Sequence, residues 1–147
     1  MSAKDGNSCF VRRDLRTVND KIRRVVEAGG LMWTVTRDFA FEAAHALPHL
    51  PDGHKCRQLH GHSYRVRVEA HGGLDERGFV VDYAEIKSAV APLIARLDHQ
   101  NLNDLFDFPT TSEHLAAWLY REAKKTLPQL SRVVLHETTG TSVIYEE

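Results

Sequence analysis

The sequence predicts an α+β fold of order ββααββ, with a four-stranded antiparallel sheet and two helices on one face. Three observations predict it. Two long segments near the start of the body alternate apolar and polar residues with period two, the signature of strands buried on one side. Two consecutive segments then carry apolar residues at helical spacing. Two short β-rich segments close the chain around Gly140. Strands paired at either end form antiparallel hairpins, and two helices cover only one face of such a sheet. The other face must meet solvent or another subunit.

In "WTVTRDFAFEAAH", Trp33, Val35, Phe39, Phe41, Ala43 and His45 share one parity and therefore one strand face, which Arg37 interrupts. "ALPHLPDGHK" holds two prolines and a glycine and reads as a loop. The second strand runs from about Leu59 to His71, with Tyr64, Val66, Val68 and Ala70 on its apolar face and Arg65, Arg67 and Glu69 on its polar one. "HGGLDERG" is a turn. "FVVDYAEIKSAVAPLIARLD" is helical, opened by Asp82 and Glu85 as a capping box and lined by Ile86, Val90, Ile94 and Leu97; Pro92 should kink it. "HQNLNDLFDFP" reads as a loop. Thr110 and Glu113 suggest a second capping box for a helix ending near Thr126, with Leu115, Trp118, Leu119 and Ala123 inward. "RVVLHET" and "TSVIYEE" form the last hairpin.

Domain organisation follows from charge. Residues 1–31 carry seven Lys/Arg and four Asp/Glu, a net +3, while residues 32–147 carry twelve and sixteen, a net −4. "NDKIRRVVEAGG" suits a short helix ended by Gly29 and Gly30, but its apolar stripe is thin. The segment 1–31 is expected to be a flexible extension or a misassigned start, with Met32 opening the domain of 32–147. A net charge of −1 gives no signature of nucleic-acid binding, and no apolar run approaches the roughly 18 residues of a membrane span. Cys9 and Cys56 lie far apart, which argues against a disulfide framework and for a reduced, cytoplasmic setting.

The chemistry concentrates in "KCRQLHGHSY". His60 and His62, at i and i+2, have the parity of the apolar face and can reach one metal ion together. His45 ends the preceding strand on the same kind of face, where a hairpin brings it beside them. Three neutral imidazoles leave a tetrahedral zinc one open position, the mark of a catalytic site. Satisfied core histidines are the alternative for a bare His-x-His, and the matching face of His45 argues against it. Cys56 stays ambiguous. It can close a structural site as fourth ligand, act beside Lys55, Arg57 and a dication as base or nucleophile, or fill space. Asp98 beside His99 can orient an imidazole for proton transfer, or be a solvated helix end. Glu137 shares parity with Val133 and Leu135, so it is expected to point inward, where a carboxylate needs a partner. His49, His54, His71, His114 and His136 read as loop or surface residues.

The stretches "FEAAHALP", "GHKCRQLHGHSY", "VVDYAEIK", "LDHQNLND", "PTTSEHLA" and "HETTGTSVIY" resemble, in order over about 32–146, the 6-pyruvoyl-tetrahydropterin synthase family. "GHK" directly before the cysteine and the Leu-Pro-His-Leu-Pro loop look like the branch that makes 6-carboxy-tetrahydropterin in queuosine biosynthesis. The resemblance implies the tunnelling fold, with subunits joined into barrels and stacked as a hexamer of two trimers. It implies zinc on His45, His60 and His62, one ion per subunit, with Cys56 as catalytic base and His99 with Asp98 as relay. Glu137 would anchor the pterin, and Thr111 and Ser112 would contact it. The implied substrate is 7,8-dihydroneopterin triphosphate; the rivals are a 6-pyruvoyl-tetrahydropterin synthase, which loses triphosphate without breaking the carbon–carbon bond, and a non-catalytic zinc-stabilised binding module with Cys56 as fourth ligand.

Overall fold

In a computed structural model that describes residues 30–147, the first strand, β1, spans Trp33–His45 and pairs antiparallel with β2, His60–Gly72, along its whole length. The alternation in sequence sets their faces. Phe41, Ala43 and His45 on β1 and Tyr64, Val66, Val68 and Ala70 on β2 are buried, while Asp38, Glu42, Arg65 and Arg67 are exposed. Burying each such aliphatic side chain contributes about 1.5–3 kcal/mol, so a slip by one residue would forfeit the whole set. The strand β4, Leu130–His136, pairs with β2, and β5, Val143–Tyr145, pairs with β4. Gly140 has φ of 87° in the turn between them, the left-handed conformation that glycine adopts without a Cβ clash.

The helix α1, Tyr83–Leu97, starts at Asp82, whose carboxylate accepts from the Ala84 amide. Glu85 does not reach back to complete a capping box; Arg77 donates to it at 3.3 Å. Pro92 lies inside the helix without ending it. Ile86, Val90, Ile94 and Leu97 are buried, as are Leu115, Ala116, Leu119, Tyr120 and Ala123 of the later helix, Ser112–Lys124. Both helices pack on the apolar sheet face, giving the expected α+β tunnelling-type architecture. Trp118 is only partly buried and packs against Phe106, with the Arg96 guanidinium over its ring.

Three further expectations are corrected. The sheet has five strands, in the order β3-β1-β2-β4-β5, because Gln100–Asn101, expected as loop, pairs parallel to Ala43 and Ala44 as β3. Two residues cannot show an alternating pattern, so the unpaired edge of β1 recruits a segment that sequence periodicity misses. Next, Leu102–Leu105 forms a short helix, α2, whose N-cap Asn101 accepts from the Asn103 amide. Finally, the helix Ser112–Lys124, α3, is capped by Thr111 rather than Thr110, and without a side-chain cap bond. The Thr111 hydroxyl instead meets His114 Nδ1 at 2.9 Å, and Thr110 is buried completely. The short helix expected to end at Gly29 and Gly30 falls on residues before 30, outside the described ones. Among the described residues no helix is long and apolar enough to cross a membrane.

Candidate metal centre and active site

The β1–β2 register makes His45 and His60 cross-strand partners and sets His62 opposite Ala43. All three rings therefore leave one face at one end of the hairpin. Their centroids lie 4.7, 4.8 and 5.2 Å apart, and one nitrogen of each lies within 4.8 Å of the others.

The Nδ1 atoms are held from behind. His45 Nδ1 lies 2.8 Å from the Thr110 carbonyl, His60 Nδ1 2.7 Å from the Gln58 carbonyl, and His62 Nδ1 3.3 Å from the Thr138 hydroxyl. A carbonyl only accepts, so Nδ1 of His45 and of His60 carries the proton and Nε2 presents a lone pair. Such backing is how metal-binding imidazoles are fixed in tautomer and direction. His62 Nε2 is buried with no hydrogen-bond partner. His45 Nε2, lone pair outward, faces Glu137 Oε1 at 3.4 Å, and His62 Nε2 lies 4.0 Å from the same oxygen. Acceptors facing one another need a cation between them. A proton is disfavoured there, because burial pushes His45 and His62 below the ordinary imidazole value against the pull of Glu137. The three imidazoles thus fit a divalent metal ion.

Glu137 follows the last residue of β4 and turns inward, as its parity predicts. It is 28% exposed and so reaches both the histidines and solvent. The buried Tyr64 hydroxyl donates to its Oε1 at 3.5 Å. Burial, aided by the Glu137 charge, pushes the Tyr64 phenol well above its ordinary value.

Cys56 sits in a single 3₁₀ turn, Lys55–Arg57, as a half-buried free thiol outside the group of three histidines. Its amide donates to His54 Nδ1 at 3.1 Å and its carbonyl accepts from Leu47 at 2.8 Å. The neighbouring Arg57 gathers the loop by donating to the carbonyls of Pro48 and Leu50. A loop this rich in proline and glycine is thereby given one shape.

Asp98 and His99 stand elsewhere. The Asp98 carboxylate accepts from the Glu42 amide at 2.9 Å and lies 3.0 Å from His99 Nδ1. The Glu42 amide, with lesser help from His99, holds the Asp98 carboxyl below its usual value. His99 has φ of 59°, rare for a residue with a Cβ, and its amide bonds to the Glu42 carbonyl at 2.6 Å. Its side chain is 78% exposed. It lines an open cleft of about 490 Å³ with Glu42, Ala44, Gly61 and Ser63, and Ala43 and His62 line the same cleft. Of these, Glu42, Ala44, Gly61 and Ser63 have the parity of the polar sheet face, whereas the three histidines leave the helix-covered face. Among the described residues, no hydrogen bond or ion pair joins His99 to Cys56 or to the histidines. Thr111 and Ser112 open α3 directly after Thr110, the residue that holds His45.

Sequence reasoning did not find Thr110, Gln58, Thr138 or Tyr64 as parts of the site. Two act through backbone carbonyls, which no side-chain pattern encodes. Tyr64 was hidden among the apolar residues of β2. Thr138 has the outward parity of its strand, but β4 ends at His136 and the chain turns there.

A model of 6-pyruvoyl tetrahydropterin synthase matches residues 34–147. A 6-carboxy-5,6,7,8-tetrahydropterin synthase from Synechocystis is 39% identical over 78% of this chain and 93% of its own. A dihydroneopterin monophosphate aldolase from Pyrococcus furiosus is 36% identical over 67% of this chain and 83% of its own. The solved 6-pyruvoyl tetrahydropterin synthase of Caenorhabditis elegans superposes with a TM-score of 0.73 at 28% identity, covering 80% of this chain and 97% of that one. With the fold, the histidine cluster and a match over most of its length in agreement, this chain belongs to the 6-pyruvoyl tetrahydropterin synthase family.

Proposed function

We propose that the chain is a zinc-dependent lyase that converts 7,8-dihydroneopterin triphosphate and water to 6-carboxy-5,6,7,8-tetrahydropterin, acetaldehyde and triphosphate. The reading places it in queuosine (7-deazapurine) biosynthesis in the cytoplasm, working as a hexamer of two stacked trimers. Its main support is the 39% identity to the Synechocystis enzyme over nearly that whole protein. The three histidine Nε2 atoms would hold the zinc, which would supply Lewis-acid polarisation and a template for the side-chain hydroxyls. The Glu137 carboxylate suits the 2-amino-pyrimidinone edge of a pterin, which offers two N–H donors to it. A ring held there lies beside the histidine cluster, with Thr111 and Ser112 as further contacts, so that binding energy orients the reacting carbons. The Cys56 thiolate removes a proton from the side chain, and His99, oriented by Asp98, shuttles it. Because no hydrogen bond or ion pair among the described residues joins His99 to Cys56 or to the three histidines, we assign it to the site of a neighbouring subunit.

Two other products have specific support. The likeness to the nematode enzyme favours a pyruvoyl pterin, formed by loss of triphosphate without carbon–carbon cleavage. The likeness to the archaeal aldolase favours cleavage that leaves a hydroxymethyl pterin. All three reactions start from proton abstraction on the same side chain. A non-catalytic module with Cys56 as fourth ligand is disfavoured by the position of Cys56 outside the cluster. Incubation of the purified protein with substrate and zinc is expected to give the carboxy pterin and acetaldehyde in equal amounts. A pyruvoyl or hydroxymethyl pterin without acetaldehyde would overturn the assignment and leave the fold standing.

A further inference from the structure

His60 and His62 are not the end of the pattern on β2. Tyr64 is the next residue with the same parity, and it is completely buried. Phe41 stacks on its ring at 4.6 Å with the planes 9° apart, which fixes the direction of the phenol. The edges of His45 and His62 meet it at 6.3 and 5.6 Å. A buried phenol needs a hydrogen-bond partner. Among the described residues its hydroxyl has one, Oε1 of Glu137, at 3.5 Å. Glu137 stands just beyond the last residue of β4, where sheet pairing no longer holds it. Its carboxylate is partly exposed and, among the described residues, is otherwise near only His45, whose Nε2 presents a lone pair, and His62 at 4.0 Å.

We infer that Tyr64 is the positioning residue for Glu137: its rigid, buried hydroxyl holds one carboxylate oxygen and so sets the angle at which the carboxylate meets the pterin edge. This rests on the reading of Glu137 as the pterin anchor. One strand face thereby carries two metal ligands and the group that aims the substrate-binding carboxylate, so metal and pterin are registered to each other by a single backbone.

The test is Tyr64→Phe, which keeps the Phe41 stack and removes one oxygen. Zinc content is expected to stay stoichiometric. Binding of neopterin, followed by its fluorescence, should weaken about three- to tenfold, in line with the loss of one net hydrogen bond. KM for substrate should rise by a similar factor with kcat changed far less. In the Glu137→Ala background the same substitution should cost nothing further, because the group it acts through is gone. Unchanged neopterin affinity in Tyr64→Phe, or losses that simply add in the double variant, would overturn the inference while leaving the pterin reading intact. A parent protein that does not bind neopterin would overturn both.

Discussion

Replacing Cys56 by alanine separates the two chemical roles open to it. The half-buried thiol lies in a turn held by its backbone, through the His54 ring and the Leu47 amide, and alanine keeps both bonds. Removing one partly buried sulfur should therefore cost less than about 1 kcal/mol of stability. Cys56 is not among the three residues whose ligand atoms converge, so zinc should remain near one per chain. Activity should fall by roughly 10²–10⁴, the usual contribution of a positioned base, equivalent to about 3–5 kcal/mol of barrier. His62→Ala is the counterpart. It removes a converging Nε2 and should lose metal and turnover together. The assay pairs metal analysis of the purified variants with acetaldehyde release under saturating substrate. Loss of zinc along with activity in Cys56→Ala would refute the reasoning and make Cys56 a ligand. Full zinc in His62→Ala would refute the metal site itself.

Acid should destabilise the metal-free protein before ordinary carboxylates titrate. His45 and His62 are held below the imidazole value by burial, so between their folded values and about 6.5 the unfolded chain binds more protons than the folded one. Stability then rises with pH through that window, and the melting temperature should fall on acidification from about pH 6.5 toward 5. A melting temperature that climbs over this range would contradict it. The placement of His99 is tested by mixing Cys56→Ala and His99→Ala subunits after dissociation and reassembly. Random pairing should restore roughly a quarter of parent activity through hybrid sites. No recovery, once exchange is verified, would place His99 outside a neighbouring subunit's site.

The parts of the fold that sequence shows clearly are those where one face is buried over many residues. Thirteen-residue strands such as β1 and β2 declare their faces through alternation, and with them the convergence of His45, His60 and His62. The two long helices declare themselves by their stripes in the same way. The rest depended on short-range backbone geometry. The two residues of β3 pair because β1 has a free edge, not because of anything periodic in Gln100 and Asn101. The second capping box failed since Thr110 serves His45 while Thr111 takes the cap. Composition marked the Cys56 loop as irregular but gave no sign that Arg57 would close it on the carbonyls of Pro48 and Leu50.

The same geometry suggests, on the proposed reading, how one scaffold could serve relatives named for different products. The candidate ligand set is written into the register of a long hairpin, which cannot shift without turning the whole strand inside out. Glu137, by contrast, lies past the end of β4, Cys56 in a loop turn, and His99 beyond a helix end in a left-handed conformation. The groups that would hold the ring and move the protons are thus carried by segments outside the regular sheet, where small changes in length or turn shift them without disturbing the core. A change in which carbon is deprotonated, or whether a carbon–carbon bond breaks, then needs no new metal chemistry. On the proposed reading it needs only a different placement of Cys56 and His99 about side-chain atoms that Glu137 and the metal would hold. On that reading substitutions in the Cys56 loop and the Asp98–His99 corner, rather than in the hairpin, are the ones expected to redirect the product.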